Sequence, residues 1–119
     1  MEKGEFVIDS SIVAKWFLTE EDSDEALKIR DSFATDRIKL AVPTLLFYEV
    51  MNALLYSGVF GEQDLALAAR SLSEYGFEVW QPRGKLLELS VQLCVKKDVT
   101  VYDGCYVALA SAKKYKSNN

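Results

Sequence analysis

Ile38-Lys39-Leu40-Ala41-Val42-Pro43-Thr44-Leu45-Leu46-Phe47-Tyr48-Glu49 is the stretch on which the fold class of this chain turns. A short β-prone apolar run, Ile38 to Val42, is closed by Pro43, which cannot continue a central strand. Thr44 stands where a helix cap belongs, and Leu45, Leu46, Tyr48, Glu49, Met51, Asn52, Leu55 and Tyr56 follow at helical spacing until Gly58 and Gly61 break the pattern. A strand therefore runs directly into a helix, and the same unit recurs on either side. Upstream, Phe6-Val7-Ile8 ends at Asp9-Ser10-Ser11, and Ile12, Val13, Trp16 and Phe17 continue as a helix that Ser10 or Ser11 is placed to cap. Downstream, Phe77 to Gln81 ends at Pro82 and leads into a helix over 83–97.

Between these units lie two further helices. One follows the acidic run Glu20 to Glu25 and carries Ala26, Leu27, Ile29 and Phe33; acidic residues suit a helix start, so the run reads as a solvated N-terminus. The other spans 62–75, with Leu65, Ala68, Ala69 and Leu72 on one face and Gly76 as its stop. Thr100 and Val101 approach a last helix over 103–114. The order β-α-α-β-α-α-β-α-α predicts an α/β domain with a parallel sheet, one domain over 1–119. Ligand sites in open sheets of this kind lie beyond the carboxyl ends of the strands.

Composition narrows the function. Lys and Arg number 14 against 18 Asp and Glu, a formal net charge of −4, which argues against a protein that coats duplex DNA through a basic face. It leaves open an enzyme that meets nucleic acid through metal ions. With 0 His, imidazole bases, Ser-His-Asp triads and imidazole zinc sites are excluded. Two cysteines, Cys94 and Cys105, cannot build a four-thiolate zinc site. With no signal-peptide pattern in Met1 to Glu5, they suggest buried thiols in a reducing cytoplasm. No apolar run is long enough to span a membrane.

Three carboxylates then stand out. Asp9 follows the first strand, Glu49 lies early in the helix after the second, and Asp103 opens the last helix; each adjoins apolar residues. Taken singly, Asp9 also suits a turn or cap, Glu49 a helix surface and Asp103 an N-cap. Together they fall at matching ends of strand–helix units. Converging carboxylates repel unless a cation stands among them, and all-oxygen donors favour Mg²⁺ or Mn²⁺. Asn52, one turn after Glu49, reads equally as a supporting donor and as a solvated residue.

Phe-Val-Ile-Asp-Ser-Ser at 6–11, Val-Pro-Thr-Leu-Leu-Phe-Tyr-Glu-Val-Met-Asn-Ala-Leu at 42–54 and Val-Tyr-Asp-Gly-Cys-Tyr-Val-Ala-Leu-Ala at 101–110 together resemble the PIN-domain family, most of all the VapC-type ribonuclease toxins. The resemblance implies a three-layer α/β/α PIN-like domain with a parallel sheet. It implies Mg²⁺- or Mn²⁺-dependent cleavage of RNA and a VapB-type antitoxin partner, while the first-strand edge and the apolar helices 44–57 and 62–75 are expected to drive homodimerisation or antitoxin capture. Carried over by position, Asp9, Glu49 and Asp103 match three of the family's acidic residues, and Ser10 or Ser11 matches the hydroxyl that helps hold metal or phosphate. The family's fourth acid sits in a Thr-x-Asp on a further strand. No Thr-x-Asp follows the last helix as far as Asn119, so the family's last strands are expected to be missing, one side of Phe6-Val7-Ile8 to be an open edge, and activity to be reduced. A degenerate, protein-binding PIN domain is the alternative. A phosphorelay receiver is disfavoured, because the third strand ends in Gln81-Pro82 with no Asp.

Other polar and aromatic residues read more plainly. Lys15 is expected on a solvated helix face rather than on phosphate. Trp16, Phe17, Phe47 and Tyr48 are expected in a core or interface rather than stacked on bases. Cys105 is expected as a small buried hydrophobe and Asp98 as a loop residue rather than a substitute acid.

Overall fold

The computed structural model describes residues 4–117, with side chains as far as Lys113. Readings that rest on Met1 to Lys3 or on Asn118 and Asn119 lie outside the described residues. The elements run β1 (Gly4–Val7), α1 (Ser10–Ala14), α2 (Ser23–Ala34), β2 (Ile38–Pro43), α3 (Leu45–Ser57), α4 (Glu62–Glu74), β3 (Glu78–Trp80), α5 (Gly84–Lys97) and α6 (Val101–Ser117). The three strands form one parallel sheet in the order β1-β2-β3, with Phe6 opposite Leu40 and Val42 opposite Val79.

The central strand shows why helices cover both faces. Successive side chains of a strand point to opposite sides. Leu40 and Val42 enter a core with Val13 of α1, Ala26 of α2, Leu46, Val50 and Leu54 of α3, and Leu72 of α4. Ala41, between them, enters a second core with Leu86 of α5 and Ala108 and Leu109 of α6. Leu40, Ala41 and Val42 are all buried, which marks β2 as a strand with no solvent face. Fully burying a side chain such as Leu46 or Leu54 stabilises by roughly 1.5–3 kcal/mol.

Several local expectations shift. The first helix ends at Ala14; backbone bonds tighten to the i−3 pattern from Lys15 to Phe17, so Trp16 and Phe17 leave it on a turn. There Trp16 is buried and stacks with Phe77 beside Tyr75 and Phe33. The cap of α1 is Asp9, not a serine: its Oδ1 accepts from Ile12 N at 3.1 Å and from the Ser11 hydroxyl at 2.8 Å. Thr44 makes no side-chain cap either; its hydroxyl donates to the Trp80 carbonyl at 3.1 Å and ties β3 to the start of α3. The last helix begins earlier than expected, at Val101, because Thr100 Oγ1 accepts from Asp103 N at 3.1 Å and caps it.

Helix α6 runs against the sheet antiparallel to the strands. At its far end, Lys113 Nζ reaches Glu78 of β3 at 2.7 Å and Glu5 of β1 at 3.1 Å, spanning β2. Among the described residues strand β1 pairs only with β2, and Phe6 on it is exposed.

Candidate functional site

Parallel strands all deliver their chains to one rim of the sheet. Asp9 stands there between β1 and α1, Glu49 in the second turn of α3 after β2, and Asp103 in the first turn of α6. The link between them is Tyr106, one turn beyond Asp103, whose hydroxyl donates a 2.6 Å hydrogen bond to Glu49 Oε1. One tyrosine of α6 thus meets α3 directly, with Ser10 at the start of α1 nearby. Burial first, and then the Glu49 hydrogen bond, push its ionisation far above the ordinary tyrosine range, so it remains a donor.

Cys105 lies between two of the acids. Burial, then the fields of Glu49 and Asp103, raise its thiol to about 11. It is half-buried rather than buried as the sequence suggests, and its Sγ faces the Tyr102 carbonyl at 3.0 Å. Asp9 and Asp103 are exposed and Glu49 is half-buried. Among the described residues no ion pair engages any of the three.

The remaining candidates sort as follows. Ser11 is held by Asp9. Asn52 is exposed and shares a shallow cleft with Tyr48, Glu49 and Met51. Lys15 is tied to Asp22 at 2.7 Å, and that bond holds its pKa above the ordinary lysine value. Asp98 closes α5 in the left-handed region at φ 53, a turn role. Of the four aromatics, Tyr48 is the one outside the core: it is 76% exposed at the rim.

The matching family model is the PIN domain, over residues 6–118. The chain belongs to the PIN domain family. No curated protein matches it at a significant level. PIN domains are typically metal-dependent nucleases, and the three-stranded parallel sheet with helices on both sides agrees with a PIN-like fold. No helix among the described residues is long and apolar enough to cross a membrane.

The donors of this PIN domain suit a hard divalent cation in kind, being carboxylate oxygens without a competing ammonium or guanidinium. They are not drawn into a cage: among the described residues no group of three His, Cys, Asp or Glu side chains is placed to hold one ion. Two residues of this site escape a sequence reading. Tyr106 is marked only by standing one helical turn after Asp103. Gly104 is marked by being a glycine inside a helix; a Cβ there would meet the Ser90 carbonyl oxygen at 2.6 Å, so its absence lets α6 lie close on α5 and sets where Asp103 stands.

Proposed function

We propose that residues 1–119 act as one PIN domain of VapC type, an endoribonuclease dependent on Mg²⁺ or Mn²⁺ and one half of a toxin–antitoxin pair. The observation that carries this reading is the Tyr106–Glu49 hydrogen bond, which ties α6, the helix of Asp103, to α3 at the strand-end rim that also carries Asp9. Asp9, Glu49 and Asp103 are the residues that would hold the cation, with water completing its shell. A bound Mg²⁺ or Mn²⁺ supplies Lewis acidity at a phosphodiester and lowers the pKa of water. Around it, Tyr106 orients the Glu49 carboxylate, Ser11 orients that of Asp9, and Ser10 and Asn52 offer polar contacts to the sugar–phosphate chain. The chain has 0 His, so no imidazole takes the proton of the attacking water. A VapB-type antitoxin, a homodimer and a cytoplasmic setting complete the proposal.

The deciding assay digests single-stranded RNA with wild type and Asp9→Asn in parallel. Cleavage is expected with Mg²⁺ or Mn²⁺, to vanish with EDTA, and to fall about 10²-fold or more in Asp9→Asn. Cleavage that survives EDTA, or that Asp9→Asn leaves untouched, overturns the reading. A second reading, a PIN domain that binds protein without cleaving, draws on the exposed apolar stripe Tyr48, Leu55, Tyr56 and Val59 on and just after α3. A metal-loaded protein that cleaves nothing favours it.

A further inference from the structure

Next to the carboxylates, the rim holds an apolar pocket of about 290 Å³ whose wall includes Tyr48, Trp80, Leu86, Tyr102 and Cys105. Tyr48 and Tyr102 immediately precede Glu49 and Asp103, so pocket and acids alternate along the same two helices. The small polar groups of the wall are already engaged: the Thr44 hydroxyl with the Trp80 carbonyl, the Ser90 hydroxyl with the Leu86 carbonyl, and the Cys105 thiol with the Tyr102 carbonyl. What the pocket presents is aromatic and aliphatic surface, suited to a flat ring. Trp80 and Leu86 are shared with an adjoining open cleft of about 470 Å³ that carries Gln81, Arg83 and Lys85. Neither cation makes an ion pair with a described residue. In a chain of formal net charge −4, Arg83 and Lys85 place two cations free of ion pairs with described residues beside an aromatic pocket.

We infer that the pocket takes one nucleobase of a single-stranded RNA by stacking, while Arg83 and Lys85 hold a neighbouring backbone phosphate. This rests on the ribonuclease reading and adds to it where the strand lies. RNA presents each base between two phosphates; the rim presents an apolar pocket between a basic cleft and a set of cation-binding acids. An aromatic, acidic peptide would satisfy the pocket and the cleft but leave the carboxylates without a role. Because the engaged wall groups offer little to a base edge, the pocket favours a base over none rather than one base over another.

The test measures binding apart from cleavage. Fluorescein-labelled short 2′-O-methyl RNA, which resists hydrolysis, is titrated with the full chain in Mg²⁺, beside the same backbone made abasic throughout. The base-bearing strand is expected to bind roughly ten- to a hundredfold more tightly. Tyr48→Ala with Tyr102→Ala, both at exposed positions, should remove that difference. Arg83→Glu with Lys85→Glu should weaken both strands and flatten the salt dependence, whereas Lys28→Glu with Arg70→Glu, on α2 and α4 away from both cavities, should do so far less. Equal binding of base-bearing and abasic strands by wild type overturns the proposal, even if RNA is cleaved and the nuclease reading stands. Base-dependent binding lost in the tyrosine variant upholds the pocket, even if nothing is cleaved and the nuclease reading falls. A short peptide of alternating Trp and Glu that binds more tightly than the base-bearing strand, and loses affinity in the same variants, overturns it in favour of a protein ligand.

Discussion

Tyr106 of α6 and Glu49 of α3, distant in sequence, meet through a 2.6 Å hydrogen bond at the rim of the sheet. The bond joins a half-buried acid to a donor that keeps its proton, and it is the contact through which the last helix is oriented on the third. Tyr106→Phe keeps the ring and deletes only the donor. We expect it to lower the unfolding free energy by about 1–2 kcal/mol at neutral pH. The folded phenol ionises well above its ordinary 10.0, so the unfolded state loses that proton first and wild-type stability falls as pH climbs past 10. The variant should lose less over that range. Denaturant titrations from pH 7 to 11 measure both effects.

Gly104→Ala should cost about 1–3 kcal/mol, because the new methyl group meets the Ser90 carbonyl oxygen, a backbone atom that yields only if α5 and α6 part. The same shift moves Asp103. Chemical denaturation gives the cost. Weaker Mn²⁺ affinity at matched folded fraction shows that the site has moved with the helix.

Lys113→Met should destabilise by about 1–2 kcal/mol at neutral pH, since Glu5 and Glu78 lose a shared cation. Burial pulls the lysine's pKa down, but the hydrogen bonds to Glu78 and Glu5 outweigh it and the net shift is upward from 10.5. A raised folded value gives stability that is complete below 10.5 and lost as pH rises through the folded pKa. The gap between wild type and variant should therefore close in strong alkali, which thermal melts across that range would show.

Cys105 should resist alkylation at pH 8 and gain reactivity as pH approaches its value of about 11, because only the thiolate attacks. Peptide mass spectrometry after timed iodoacetamide treatment separates it from Cys94. Rapid labelling of Cys105 at pH 8 would contradict the burial and the two neighbouring acids invoked for it.

The parts of the fold visible in sequence are those written in local periodicity. Ile38 to Val42 reads as a buried strand because a sheet covered on both faces needs no polar alternation. The spacing in 45–56 reads as a helix, which α3 confirms. What local pattern cannot show is geometry decided across the chain. Trp16 and Phe17 follow a helical rhythm, yet the aromatic cluster with Phe33, Tyr75 and Phe77 is reached from a tightened turn. Ser10 and Ser11 look like caps, but Asp9 offers a charged acceptor to Ile12 N. The three acids are legible as a pattern. The roles of Tyr106 and Gly104 are not, because each depends on a partner in another element.

The bridge made by Lys113 has a bearing on how the sheet opens. Strands β1 and β3 share no backbone bond, being separated by β2, yet one ammonium holds a carboxylate from each. When either edge frays, the lysine loses part of what keeps it charged beneath α6, and its hold on the opposite edge slackens. Amide protons in these two strands, which do not pair with each other, should thus exchange in concert, as though the sheet had been closed into a ring by a single side chain.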